Sequence, residues 1–560
     1  MSQSFRSRTT VSASVLILLL ALGAAHTAAR SWDLWWHLET GERIAASGAI
    51  PRVDDFSFTS RGTPWIDHEW LFQLLMHAAW TSLGPAGLAL LKVIAASGAA
   101  FAGWAALLRS GVRPGLAIFA AALCVLGFRF RLTERPELAT LALAPAAAAL
   151  LASLAGRPAK PAARLLALAA TTIVWVNMHA GALLAPVLAA ACLAGAAASA
   201  PRTETSRRLA AVAATGMALA AAALALFVNP YGPRIYSVPF AIAGALAPEN
   251  LFNPEWLAPT PFTFPFLYVT LAAVVVLVVP VLRSREPGSR ARLAMLVVAA
   301  ALALWSVRHI GVFFALLPVV LPVEPLRDAG RRIPTAAGGV FCLLVAVFMY
   351  LVPPGGARSG FGIAAGRFPE KAADFVERHL QDARLYNDAR FGGYLIHRGY
   401  PQRRVFLDGR NEVHADLLGE ISAALDDGRR WEDLLSRHQV EGAVVAYRDA
   451  AVRLQDGSAG TFSETHFPER RWALVHWDDV AMVFVRRDSR FSAVADASGS
   501  RARPEAFRLG LLEPEQMSSD EALREEILRK LADDPESALA KSMASVYGIG
   551  ESMPTPERGR

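Results

Sequence analysis

The apolar positions of this chain fall into long blocks, with little of the alternation that marks half-buried strands. Ala, Leu and Val dominate stretches at roughly 11–29, 85–108, 113–128, 137–155, 164–178, 182–199, 208–228, 264–282, 292–307, 309–323 and 335–353. A helix needs about 20 apolar residues to cross hydrocarbon about 30 Å thick, so these blocks predict about eleven membrane spans. The first two are separated by a long polar segment, 30–84, which carries the helical pattern WWHLETGERIAASG. It then runs through Ile50-Pro51 and ends in a mostly apolar interfacial helix over His68–Leu83.

The pattern changes after residue 355. PEKAADFVERHLQ is apolar at helical spacing, whereas ARLYND, RRVFLDG, GAVVAY and VAMVFVRR read as short strands. Two more helices are expected around Leu417–Leu425 and Trp431–His438, with FGGYL and LDGRNEV as turn-rich junctions. The expected organisation is a membrane domain over 1–355 and a soluble α/β domain over 356–490. A linker and short helical tail follow over 491–560, with a helical pair at 518–547 and a disordered end. The fold class is thus a polytopic α-helical membrane protein with a C-terminal α/β domain.

Charge orients the spans. With Arg6 and Arg8 cytoplasmic, Arg109/Arg113, Arg157/Lys160/Arg164, Arg202/Arg207/Arg208, Arg283/Arg285/Arg290/Arg292 and Arg327/Arg331/Arg332 all fall on that same side, as the positive-inside rule requires. The opposite face receives Ser31–Trp70, Arg129–Glu137, Trp175–Gly181, Asn229–Phe262 and Arg308–His309. Eleven spans also make the α/β domain extracytoplasmic. A single span over 292–323 would instead bury Arg308 and His309 and reverse that domain, so the pair is notable on either reading.

Of the 560 residues, 54% are apolar types and 19% charged, and the formal charge is +7. The excess arginine sits in short inter-span loops, so it sets topology and gives no nucleic-acid signal. The N-terminus reads as an uncleaved first span. Cys124, Cys192 and Cys342 all lie in apolar stretches and are expected to be small core residues.

Chemistry concentrates on the outer face. The first loop holds Asp33, His37, Asp54, Asp55, Asp67, His68 and Glu69 among five tryptophans, which favour the headgroup zone. Asp33 follows the first span. It is placed to act as a general base beside His37 or, equally, to cap the helix that follows. Arg129, Arg131 and Arg135 flank Glu134 and Glu137; their fork-like donors match phosphate oxygens, although span-end arginines also snorkel to headgroups. Arg308 and His309 form a second phosphate-clamp candidate. Asn177 and His179 suit either substrate orientation or packing, Glu255 lies in a long outer loop, and Asn229–Gly232 reads as a turn. His68-Glu69 is followed by Phe72 where a zincin helix has its second His, so that site is excluded.

The order of these features resembles the GT-C glycosyltransferases, polytopic enzymes that use polyprenyl-phosphate sugars. The similarity is to protein mannosyltransferases and bacterial RgtA/B/C/D-like proteins. It is carried by a first span ending in Asp33 and the outer loop after it. It continues through RPELATL (135–141), WVNMHAG (175–181), NPYG (229–232), PEWLAP (254–259), RHIGVFF (308–314), YNDARFGGYL (386–395) and VFLDGRNEV (405–413).

The resemblance implies an inverting hexosyltransferase in a bacterial cytoplasmic membrane. Its donor would be a polyprenyl-phosphate-linked sugar, and its acceptor a glycan, lipid or protein. Asp33 and Glu137, or Glu134 in its place, would be catalytic, with Arg129, Arg131, Arg135, Arg308 and His309 on the donor phosphate. His37, Asp54, Asp55, His68, Glu69, Asn177, His179 and Glu255 would contact substrate. An Mg²⁺ or Mn²⁺ ion bridging Asp33 and Glu137 is compatible with carboxylate ligands. Two alternatives stand beside this reading. One is a non-catalytic protein that binds or transports a lipid-linked substrate. The other is an O-antigen-ligase-like transferase using Arg308 and His309.

Overall fold

The computed structural model describes residues 3–199, 205–245, 254–284, 286–330, 334–453 and 457–549. Arg202, Arg285, Arg331, Arg332 and the C-terminal residues expected to be disordered lie outside them. The chain divides into two compact units. One takes Met1–Arg52, Ile66–Ile242 and Phe252–Ala364; the other takes Val53–Trp65, Ala243–Leu251 and Ala365–Arg560.

The first unit is helical. Pro85–Arg109, Pro114–Arg131, Glu137–Gly156, Ala180–Ala197, Thr205–Ala225, Pro287–Trp305 and Thr335–Gly356 are each long and apolar enough to cross a membrane. Val11–Ala25, Ala162–Val176, Pro265–Val278 and Val307–Val320 are shorter apolar helices. Together they occupy the eleven expected stretches, and the chain is a multi-pass membrane protein. Lipid tails give apolar side chains no reason to leave them, so such helices associate through close backbone packing at small residues. A methyl group on Gly23 would strike the carbonyl oxygen of Ala346, and one on Gly338 that of Gly115.

The stretch 292–323 is interrupted. Helix Pro287–Trp305 ends at extended Ser306 (φ −151°, ψ 149°), and a short turn, Val307–His309, leads into Ile310–Val320. Arg308 and His309 therefore sit at a break between two helices. At the far end of Ile310–Val320, the Arg292 guanidinium donates to Val319 O and, at 2.8 Å, to Ser110 Oγ. It thereby satisfies a carbonyl that the helix end leaves open.

In the polar segment after the first apolar helix, helix Leu34–Ser47 closes at Gly48, whose φ of 65° is the left-handed conformation favoured after a helix. It packs on helix Trp70–Leu83.

The second unit is α/β. Leu385–Asn387 runs parallel to Gly442–Ala446, which pairs antiparallel with Ala481–Arg486. That strand pairs antiparallel with Trp472–Trp477 at the other edge. Helices Glu370–His379, Ala389–Gly399, Ala415–Leu425 and Gly428–Arg437 accompany the sheet.

Two local expectations are corrected here, and one strand is added. RRVFLDG forms no strand, because Val405 bridges only Ser57 and the backbone then turns into an ion-paired loop. FGGYL is helical, within Ala389–Gly399; Gly392 is small because its helix presses on the Leu407 carbonyl, where a methyl would collide. WALVHW, passed over in the sequence, is an edge strand. Beyond residue 490, Leu523, Ile527, Leu539, Met543 and Tyr547 join the same core as Trp431, Trp472 and Phe484.

Residues 53–65, expected within the first outer loop of the membrane domain, pack with this α/β unit. Arg410 Nη2 donates to Asp54 Oδ1 at 2.6 Å and Arg410 Nε to Asp408 Oδ1 at 2.8 Å, all three side chains being fully buried. Ser60 Oγ lies 3.0 Å from His414 Nδ1. Asp55 pairs with Arg404 and Arg61, each at 3.1 Å.

Candidate active site

The first helical unit gathers the site from its helix ends. Asp33 precedes helix Leu34–Ser47, yet its carboxylate makes no capping bond there. It turns instead to Arg135, whose Nε lies 3.0 Å from Asp33 Oδ2, and accepts from Trp36 Nε1 at 3.4 Å. Arg135 Nε also donates to Ser31 Oγ at 3.0 Å. The chain of charges continues inward. Glu255 Oε1 accepts from Arg135 Nη1 at 3.2 Å and from Arg131 Nη1 at 3.0 Å. Arg131 in turn grips Glu137. Burial alone would raise the Glu255 carboxyl, but Arg131, Arg135 and Arg308 hold it down at about 2.

The Asp33 segment is fixed from beneath. Glu134 Oε2 accepts from the backbone N–H groups of Arg30 and Ser31 at 3.0 and 3.3 Å. Its other oxygen lies 2.8 Å from Lys92 Nζ, which also donates to Thr27 O at 2.6 Å. Of the two acidic candidates in TERPEL, Glu134 is thus a structural anchor, whereas Glu137 reaches a cavity.

A second cluster lies at the start of helix Trp70–Leu83. Glu69 stands 3.4 Å from His68 Nε2, 3.8 Å from His37 Nδ1 and 4.0 Å from His179 Nε2. Burial would raise the Glu69 carboxyl, but His68 beside it holds it well below the usual range. Burial pushes His37 and His179 down to about 4, so both are neutral at neutral pH.

The tautomer of His179 is set by its surroundings. Gly181 N–H donates to its Nδ1 at 3.0 Å. Nδ1 therefore carries no hydrogen, so the Thr140 hydroxyl, which accepts from Trp175 Nε1–H at 2.9 Å, directs its own hydrogen to that ring nitrogen 2.7 Å away. The ring proton is left on Nε2, facing Glu69. Buried Asp67 accepts from Gln73 at 2.8 Å, and burial with the Glu69 charge pushes its carboxyl up to about 7.

A cavity of about 270 Å³ opens beside these groups. Its polar wall is Glu137, Thr140, His179, Arg308 and His309; its apolar wall includes Leu183, Val187, Leu302 and Val312. Arg308 also lies over the Trp256 ring at 5.3 Å, and His309 Nδ1 is 2.8 Å from Ser306 Oγ.

Comparison with known proteins gives a fold. No protein-family model matches the chain, and no curated protein matches it. Among solved structures, the oligosaccharyltransferase of Archaeoglobus fulgidus in its apo form matches with a TM-score of 0.52 at 11% identity, over 98% of this chain and 87% of that one. The same enzyme tethered to an acceptor peptide gives 0.51 at 12% identity, over 80% and 73%. ArnT from Cupriavidus metallidurans bound to undecaprenyl phosphate gives 0.47 at 13%, over 88% and 99%.

The chain has a GT-C-like fold.

Within this GT-C-like fold the residues singled out from sequence separate into groups. Asp33, Arg131, Arg135, Glu137 and Glu255 form one ionic chain, and Arg308 and His309 line the cavity that Glu137 reaches. His37, His68, Glu69 and His179 form the second cluster. Asn177 is a bracket: it accepts from Trp70 Nε1 at 3.0 Å and donates to Ile173 O and Val228 O, both at 2.8 Å. Arg129 stands apart from the ionic chain, over the Phe348 ring at 5.1 Å. Asp54 and Asp55 belong to the α/β unit.

Among the described residues no group of three His, Cys, Asp or Glu side chains has the arrangement of a metal centre. Nor do Asp33 and Glu137 fit a bridging Mg²⁺ or Mn²⁺, because Arg135 and Arg131 already engage them. Lys92, Gln73 and Thr140 had no sequence role. The signal for Lys92 was available, as a lone cation within an apolar span.

Proposed function

We propose that the protein is a membrane glycosyltransferase that moves a sugar from a polyprenyl-phosphate donor to an acceptor hydroxyl at the extracytoplasmic face. The observation that carries this reading is the 3.0 Å contact between Asp33 and Arg135, at the head of the arginine–carboxylate chain that runs to Glu137. A base and a phosphate clamp are thereby on adjoining groups. The cavity beyond it has the two-sided lining that a charged head on a prenyl chain requires.

In this reading Asp33 accepts the acceptor's hydroxyl proton as its oxygen attacks the anomeric carbon. The bond from that carbon to the phosphate oxygen breaks with its electron pair, and configuration inverts. Polyprenyl phosphate leaves with its charge met by Arg131, Arg135 and Arg308. His179 offers a fixed Nε2–H donor. The likeness in fold to an oligosaccharyltransferase supports the class; the hexosyl donor, the acceptor and the bacterial cytoplasmic membrane belong to the proposal. Purified protein given labelled polyprenyl-phosphate sugars should transfer or release label in the wild type and lose that activity on Arg135→Gln. Equal turnover by the two would refute the clamp.

A further inference from the structure

We propose that Glu255 is a built-in stand-in for the donor phosphate, a selectivity residue that the incoming phosphoryl group must displace. The inference rests on the donor reading above and adds to it where the phosphoryl oxygens sit and what holds their place beforehand.

Among the described residues, three cations and three carboxylates meet here. Arg131 has its own partner in Glu137, and Arg135 has Asp33. Glu255 is the shared third anion: its Oε1 accepts from both guanidinium groups at 3.0 and 3.2 Å, and its Oε2 from Arg135 at 3.5 Å. Arg308 adds charge from the other side, over Trp256. With Glu255 in place the group is neutral, and without it one positive charge in excess faces the space between the two forks. Two guanidinium groups converging on one anion's oxygens is the arrangement that phosphate recognition uses.

Placement sets Glu255 apart from its companions. Asp33 is anchored through the Ser31 segment, and Glu137 begins a membrane span and is only 6% exposed. Glu255 is 29% exposed and lies on a single short turn, Pro254–Trp256, held near its end by Val307 N–H donating to Leu257 O at 2.9 Å. Moving that turn frees the seat while Arg131 keeps its buried partner Glu137 and Arg135 keeps Asp33. An uncharged or weakly charged ligand cannot pay for displacing a carboxylate held by two guanidinium groups, so Glu255 filters for phosphoryl groups.

The test is binding of farnesyl phosphate and of inorganic phosphate to the purified full chain, wild type beside Glu255→Gln and Glu255→Asp. Glu255→Gln should bind farnesyl phosphate about tenfold more tightly, the scale of one charged hydrogen-bond competitor removed. Glu255→Asp should stay near wild type. An equal gain for inorganic phosphate assigns the seat to the phosphoryl group itself; a gain only for farnesyl phosphate assigns it to a lipid-linked one. Unchanged or weaker binding by Glu255→Gln, or the same gain in Glu255→Asp, overturns the stand-in role. If Arg131→Gln weakens binding in that case, the donor reading survives alone. No binding of farnesyl phosphate to either wild type or Glu255→Gln overturns both.

Discussion

Lys92 Nζ lies 2.8 Å from Glu134 Oε1, with both side chains 1% exposed. A charge pair this deep is maintained by its geometry, and removing one partner leaves the other uncompensated. Lys92→Met alone should therefore cost about 3–5 kcal/mol of stability, and the Lys92→Met/Glu134→Gln pair much less than the sum. Thermal unfolding in detergent of the two singles and the double checks this. Strict additivity would mean that the pair does not act as a unit.

The fork at Arg135 predicts a difference between shape and charge. Arg135 reaches Ser31, Asp33 and Glu255 from one planar group. Lysine keeps the charge and loses the fork, so Arg135→Lys should lower kcat/KM by roughly tenfold or more. Equal activity would show that charge alone suffices.

Stability should depend on pH through opposed groups. His37 and His179 fall from 6.5 to about 4 on folding. Their contribution is full above pH 6.5 and is lost as pH falls toward 4. Asp67 rises from 3.8 to about 7. Its contribution is full below 3.8 and is lost as pH climbs through 7. The two trends overlap below pH 6.5, so the unfolding temperature of Asp67→Asn should rise relative to that of the wild type as pH climbs from about 4 to 7. Parallel curves for the two proteins would contradict it.

In the α/β unit, Arg410→Met strips the shared partner from buried Asp54 and Asp408. Hydrogen exchange should quicken together at 54–60 and 405–414. Faster exchange confined to 405–414 would show that Asp54 holds its loop by other means.

Much of the membrane unit was legible because its signal is long. Eleven apolar stretches each found their helix, and the helical pattern WWHLETGERIAASG is helix Leu34–Ser47. The site was legible in its members and less so in its partners. Arg135 could be named from sequence, but its choice of Asp33 over a headgroup depends on how far one helix end reaches toward another. Short signals in the α/β unit misled where tertiary contacts overrode them. RRVFLDG has strand composition, yet Arg410 is committed to Asp54 and Asp408, and that loop has no strand to pair with along its length. Gly392 and Gly393 looked like turn residues because the close approach of Leu407, which only the fold creates, leaves no local mark.

If Asp33 is the base of a sugar transfer from polyprenyl phosphate, its loss must end turnover. The measurement that tests it most directly is transfer of label from a panel of polyprenyl-phosphate sugars by purified wild type and Asp33→Asn, with matched folding verified by thermal unfolding. Wild type should transfer label from at least one donor, and Asp33→Asn from none. Retained turnover in Asp33→Asn, or no transfer or release from any donor by well-folded wild type, would contradict it.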